Sequence, residues 1–427
     1  MATLEYITYT PHRAEIAGGT VIWQPVRGGR ALSGVPQVFW SDGAPWREAN
    51  LWARARAATK GVDLKTVQAN LRHLLAYARF LEVEGIDWQH FPQREEDRCL
   101  VRWRGALVKA RGDEISSSTA SQRMAATIRF YRYAAANGLV SKSSPMWEDR
   151  SVVLRIFNKV GFERTISMVS TNLSIPNRAK HAQRLEDGLQ PVSEVHMQEL
   201  LAYTAKNASS ELDLLLSLGF FTGARIQTLA GLRVRTILDA VEDPGARGIF
   251  RLSVGPGANP PVPTKFSVDG QILIPEQLLN AIKAYIYSVQ RLHREAKAHQ
   301  ENKDLVFLTR FGHPYSERGS GKSPAINRLM ADLRRAAVKD GLKFIVHFHF
   351  HQTRATFGTW LTTIALGIGD PITAVAFVRD AMLHKDEATT FKYIRFIRQS
   401  KVKAEMANAF TKAFAGIKSL SSAQTNA

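Results

Sequence analysis

The chain has 427 residues, enough at roughly 100–200 per domain for two or three domains, which excludes a peptide hormone, a disulfide mini-fold or a lone coiled coil. Lysine and arginine number 57 against 38 acidic residues, a formal charge of +19, while the 45% hydrophobic fraction is that of an ordinary globular protein. Up to residue 190 there are 27 basic and 18 acidic residues, and beyond it 30 and 20, so the excess is no single charged tail. Distributed positive charge of this size points to a polyanion, nucleic acid ahead of an anionic membrane.

The single cysteine, Cys99, excludes an internal disulfide and a thiolate metal cage. The longest apolar stretch, Leu212 to Phe221, is interrupted by Asp213 and is too short to span a bilayer. The expectation is a soluble, cytoplasmic protein with no membrane partner.

Residues 1–45 mix short β-type runs, Gly19 to Gln24 and Val35 to Trp40, with glycine-rich breaks, and read as an extension of uncertain form. From Asp63 to Glu84 the apolar positions Val67, Leu71, Leu74, Leu75, Ala78 and Leu81 trace one helical face, which Gly85 closes. A second helix follows Ser116 to Ser118, with Met124, Ile128, Tyr131 and Ala135 inward and Arg123, Arg129 and Arg132 elsewhere on its circumference. With the segment Leu100 to Val108 these predict a helical bundle within a domain spanning 46–170, its arginines either a solvated face or a DNA contact. Residues 171–190, polar, turn-rich and basic at Arg178, Lys180 and Arg184, read as an interdomain linker.

The remainder, a domain over 191–403, reads as mainly α. Helices are expected over Ser193 to Lys206, Ser210 to Phe221, Glu276 to Lys297 and Ile326 to Val338. Ile249 to Val254 and Gln271 to Ile274 read as two strands of a small antiparallel sheet, joined by a Gly/Pro-rich turn that carries Lys265. In residues 404–427 and just before them, Val402, Met406, Phe410, Ala413 and Ile417 recur at helical spacing. Such a stripe either folds back on its own domain or is exchanged between protomers.

Two motifs invite chemistry and weaken on inspection. Gly319-Ser320-Gly321-Lys322-Ser323 resembles a phosphate loop, but Ser316 stands where its first glycine is required. His347, His349 and His351 would share one face of a strand and could together hold zinc, yet no nearby Asp, Glu or Cys supplements them.

A more coherent set remains. Thr222-Gly223-Ala224-Arg225 precedes an amphipathic run, His351-Gln352-Thr353-Arg354 has the H-x-x-R form, and Tyr393 stands nine residues after His384. In this order, with Lys265 on the hairpin between them, the sequence resembles the tyrosine recombinase family, the phage-integrase type of site-specific DNA recombinase. The resemblance spans roughly 190–400, and more loosely 46–150, where the family keeps a helical core-binding domain.

It implies a mainly helical fold of two parts: a helical-bundle DNA-binding domain and a mainly helical catalytic domain with a small antiparallel sheet. It implies that Arg225 and Arg354 grip the non-bridging oxygens of the scissile phosphate and that Lys265 protonates the leaving 5′ oxygen. His351 would assist proton transfer, His384 would hydrogen-bond the phosphoryl group, and Tyr393 would be the nucleophile, forming a 3′-phosphotyrosine without cofactor, ATP or metal. The implied partners are double-stranded DNA and further copies of the chain, a tetramer on paired sites; Arg123, Arg129, Arg178, Lys180 and Arg184 are candidate DNA contacts from the basic stretches themselves. The chemistry is consistent: tyrosine ionises near pH ~10 in water, and clustered cations both favour the phenolate and stabilise the charge of the transition state. Thr228 stands where the family usually has an acidic residue, Ala355 where a histidine often follows the arginine, and Leu383 where glycine commonly precedes the second histidine. A type IB topoisomerase, a non-catalytic DNA-binding architectural protein and a zinc hydrolase built on the histidine run are the competing readings.

Overall fold

The computed structural model describes all residues except 30, 60, 158–162, 177–184, 186–188, 317–322, 386, 388 and 398–427, with the side chains of 152–168 and 371 also left aside. The chain divides into two compact units, Met1–Ala179 and Lys180–Ala427.

In the first unit β1 (Thr3–Tyr9) pairs antiparallel with β4 (Leu32–Phe39), while β2 (His12–Ala17) and β3 (Thr20–Pro25) form a separate hairpin. The two-residue turn of that hairpin, Gly18 and Gly19, has φ of 58° and 77°, the left-handed geometry that matches strand twist and that glycine adopts without strain. The β1/β4 ribbon belongs to the unit's core. Ala2 and Val38 are fully buried, and Asn50 of α1 (Arg47–Ala58) brackets Val38, accepting from its N–H at 2.7 Å and donating to its carbonyl at 3.1 Å.

Helix α2 (Leu64–Glu84) starts where the Asp63 carboxylate accepts from the Lys65 N–H at 2.9 Å, and ends at Gly85 with φ 63°. α3 (Cys99–Ala110) and α4 (Ser117–Ala136) complete the bundle, α4 being capped by Ser116 Oγ. Their apolar faces meet around Leu71, Leu74, Tyr77, Trp103, Phe130 and Tyr131, and the two buried phenols satisfy each other with an Oη to Oη distance of 2.8 Å. Where a helical domain is expected up to residue 170, β5 (Asp149–Phe157) instead pairs antiparallel with β6 (Glu163–Thr171), whose last residue falls in the expected linker.

The second unit is built on α6 (Ser210–Thr222), buried on nearly every face by Leu212, Leu215, Leu216, Leu218 and Phe220. Around it lie α5 (Glu194–Asn207), α7 (Ile226–Ala230), α8 (Val234–Leu238) and a sheet of order β7 (Val241–Asp243), β8 (Ala246–Val254) and β9 (Gly270–Pro275). The expected hairpin is present, with Ile249 opposite Pro275 and Val254 opposite Gly270. The helix expected from Glu276 to Lys297 is two: α9 (Glu276–Ile286) and α10 (Val289–Lys297). Ser288 breaks the run by capping α10, its Oγ accepting from the Arg291 N–H at 3.2 Å, the kind of local bond with which serine competes against helix continuation.

α11 (Pro324–Lys339), α12 (Gln352–Ile368) and α13 (Pro371–Ala381) follow, and residues 389–397 are again helical. α12 lies against α6 at glycine distance: a Cβ on Gly219 would come within 2.5 Å of Thr353 Oγ1, and one on Gly223 within 2.2 Å of Phe357 Cδ1. That contact sets where the H-x-x-R arginine meets the T-G-x-R turn. Among the described residues no helix is long and apolar enough to cross a membrane.

Candidate active site

Arg354, two residues into α12, is buried. Its Nη1 donates to Gly223 O at 2.6 Å and its Nη2 to Met382 O at 2.7 Å, so one planar fork joins the end of α6 to the end of α13. Arg225 is the N-cap residue of α7, two residues beyond Gly223, and is half-buried. The left-handed turn at Gly223 (φ 63°) redirects the chain between the two helices.

Lys265 reaches the same place from the β8–β9 connection. Gly255 and Val262 exchange backbone hydrogen bonds of 2.9 and 3.1 Å, and Thr264 Oγ1 donates to Val268 O at 2.7 Å, closing a small loop with Lys265 on its exposed side. Pro263 lies so close to Gly231 at the end of α7 that a Cβ there would meet it at 2.5 Å, which holds the loop beside Arg225. Arg225, Thr228, Lys265, Arg354 and Leu383 line one cleft. Three cations from separate stretches of sequence therefore share one concavity.

Beside it stands the His384 and Tyr393 pair. The His384 N–H donates to Arg379 O at 2.9 Å, and Nδ1 lies 2.8 Å from Thr390 Oγ1, which fixes the ring. The imidazole stacks on the Tyr393 ring with centroids 5.9 Å apart and planes 25° from parallel. Tyr393 is fully buried in a small cluster with Ala355, Phe357, Val378 and Met382. The three residues that depart from the resembled pattern acquire structural roles here. Ala355 belongs to the cluster that seats Tyr393, Thr228 brings a neutral side chain to the cleft, and Leu383 holds φ at 50°, a left-handed conformation that glycine would adopt without strain. The Leu383 side chain covers Gly270, where a Cβ would lie 2.4 Å from its Cδ2.

The histidine run is not a strand. His347 ends a 3-10 turn over Lys343–His347, His349 is exposed in the following turn, and half-buried His351 is the N-cap residue of α12. Ile345 and Phe348 are the residues that enter the core, Phe348 stacking on Phe220 at 6.1 Å, and their three-residue spacing selects a helical turn over an alternating one. Among the described residues no three His, Cys, Asp or Glu side chains are grouped to hold a metal.

Of the residues expected to touch DNA, Arg123 is half-buried and Arg129 exposed on α4, and among the described residues neither has a carboxylate partner, whereas Arg132 pairs with Asp149 at 2.9 Å. Burial and then the charges of Arg123, Arg129 and Arg72 push His73 on α2 below its usual range, so this face is locally positive. Arg178, Lys180 and Arg184, like the stripe from Val402 to Ile417 and the glycines at 319 and 321, lie outside the described residues. Thr390, which orients His384 from the stretch between it and Tyr393, is a support to which the sequence pattern assigns no role.

No protein-family model matches the chain, and no curated protein does. Solved structures do. The XerH site-specific recombinase bound to palindromic difH substrate is similar over 81% of this chain and 80% of that one, with 13% identity and a TM-score of 0.49. The Tn1549 transposon integrase in complex with transposon right end DNA is 12% identical over 83% of this chain and 98% of that one, TM-score 0.49. A lambda integrase dimer bound to a COC′ core site gives 14% identity, 81% and 76% coverage and a TM-score of 0.47. At scores under 0.5 the functional reading rests on the site's own residues.

Proposed function

We propose that the chain is a site-specific DNA recombinase that cuts and rejoins strands through a phosphotyrosine. What supports this is the cleft where Arg225, Lys265 and Arg354 converge beside the stacked His384 and Tyr393. Neither a nucleotide-hydrolysing nor a zinc-hydrolase reading accounts for that set.

In the proposed reaction Arg225 and Arg354 bind the non-bridging oxygens of one backbone phosphate. Tyr393 Oη attacks phosphorus and gives up its phenolic proton, a transfer that His351 assists, and the bond to the 5′ oxygen breaks while Lys265 gives that oxygen a proton. The 3′ end is left on Tyr393 and the 5′ end is a free hydroxyl. A 5′-hydroxyl from a partner strand reverses the steps, so the bond energy is conserved without ATP. Guanidinium and imidazole groups supply the positive charge that the transition state requires. Because Tyr393 is covered in this state, DNA binding has to open the residues around the phenolic oxygen while the ring stays against Gly358. Exchange of strands requires self-association on paired sites, and the locally positive face around Arg123 and Arg129 is the proposed contact of the first unit with the duplex.

The test is cleavage of duplexes carrying candidate sites in the presence of EDTA, with wild type and Tyr393→Phe. The expected result is metal-independent cleavage that the variant loses while retaining DNA affinity. Cleavage that EDTA abolishes and zinc restores, or that survives in Tyr393→Phe, rejects the proposal.

A further inference from the structure

Phe266, next to Lys265, combines three features that the reaction above does not use. It is 62% exposed, its backbone is left-handed with φ 63°, and two lysines reach its ring: Lys265 Nζ at 5.4 Å from the centroid and Lys385 Nζ at 5.5 Å. A bulky residue in this conformation is costly, and the following Ser267 is also left-handed at φ 54°. The two strained residues turn the loop so that an aromatic ring projects into solvent where the interior gains nothing from it.

The ring lies between two separate parts of the site. Lys265 belongs to the β8–β9 connection, and Lys385 directly follows His384, whose imidazole stacks on Tyr393. Two ammonium groups repel each other, yet the negative face of an aromatic ring attracts both. Phe266 is therefore the element that brings the hairpin lysine and the histidine loop together at the rim of the cleft.

We infer that Phe266 is a positioning residue for the Lys265 ammonium, and that Lys385, drawn to the same ring, contacts the DNA backbone next to the scissile phosphate. The inference rests on the proposed reaction, in which Lys265 protonates the leaving 5′ oxygen. A cation over an exposed ring gains about two- to fivefold in its docked population. Phe266 acts only through Lys265, so its removal matters only when the leaving group needs a proton.

The experiment is single-turnover cleavage of two duplexes, one natural and one with sulfur replacing the bridging 5′ oxygen. A thiolate leaves without protonation, since a thiol ionises near pH ~8.5. Phe266→Leu keeps bulk but removes the π face, and Phe266→Tyr restores it. The expected result is a loss of about two- to fivefold for Phe266→Leu on the oxygen substrate, no loss on the sulfur substrate, and recovery in Phe266→Tyr. Lys385→Met should reduce the slope of log affinity against log salt by roughly 0.9, one phosphate contact. Equal losses on both substrates, no loss on either, or an unchanged salt slope in Lys385→Met overturn the inference. Failure of the wild type to cleave either substrate overturns the underlying reaction instead.

Discussion

Gly358, in the middle of α12, touches the proposed nucleophile, and adding one methyl group there separates nucleophile placement from fold and DNA affinity. A Cβ at this position would lie 2.5 Å from Tyr393 Cε1 and 2.6 Å from Met382 Sδ. Carbon atoms settle at about 3.5–4.0 Å, so the ring has to retreat by about 1 Å; the methionine is flexible and yields, but the phenol ring is rigid and buried. Overpacking costs about 1–3 kcal/mol, against which alanine in a helix interior recovers about 1 kcal/mol over glycine. Stability therefore changes by only about 0–2 kcal/mol and does not discriminate. The rate does, because a misplacement of about 1 Å costs on the order of 10²-fold. Gly367, on the same helix with nothing within 4 Å of its would-be Cβ, is the control. In a single-turnover assay of covalent complex formation Gly358→Ala should fall by about 10²-fold with unchanged DNA affinity, and Gly367→Ala should not fall at all. Cleavage by Gly358→Ala within about threefold of wild type would show that the Tyr393 ring position does not limit the reaction, contrary to the reasoning from misplacement.

Leu383 offers a test of backbone strain: with φ at 50°, Leu383→Ala and Leu383→Gly both lose the cover over Gly270, but only glycine relieves the left-handed conformation. The glycine variant should be the more stable by about 1 kcal/mol in denaturant titration, and an equal or more stable alanine variant would contradict the conformation. Arg354→Lys cannot bridge Gly223 O and Met382 O with one planar fork; unfolding should be easier by about 1–3 kcal/mol and cleavage slower by at least ~10²-fold, both absent if Arg354 acts only as a surface charge. Because His73 lies below its ordinary value of 6.5, the unfolded state takes up its proton first, so the stability of the protein should fall as pH drops below about 6.5. Chemical denaturation between pH ~7 and ~5 should show a shallower fall in His73→Gln, and identical pH profiles would contradict the depression of His73 by burial and its neighbouring arginines.

The parts of the fold readable in the sequence are those whose information is local. The periodic faces of α2 and α4 with Asp63, Ser116 and Gly85 at their ends, and the β8–β9 hairpin around its Gly/Pro-rich turn, follow from side-chain spacing and caps. Ser288 shows how little is needed to defeat such reading, since one capping hydroxyl splits an apolar pattern that is otherwise continuous. The histidine run failed for a different reason. Alternating His and Phe suits a strand, but the core takes Ile345 and Phe348, and tertiary burial overrode the local alternation.

In the site, the three cations that line the cleft and the stacked His384 and Tyr393 were legible because their types and order point to a chemistry. Their supports were not. Arg354 is held by carbonyls 131 and 28 residues away, which side-chain identity does not encode. Leu383 in a left-handed conformation contradicts its own preference, and the convergence of Lys265 and Lys385 on Phe266 arises only when two distant loops fold side by side.

The attacking residue is identified by trapping the protein on a nicked duplex whose short 5′ fragment diffuses away after cleavage, digesting the adduct and locating the modified residue by mass spectrometry. One phosphodiester-linked nucleotide is expected on Tyr393, attached through its 3′ phosphate. An adduct on any other residue, linkage through a 5′ phosphate, or cleavage with no covalent protein–DNA species would contradict it.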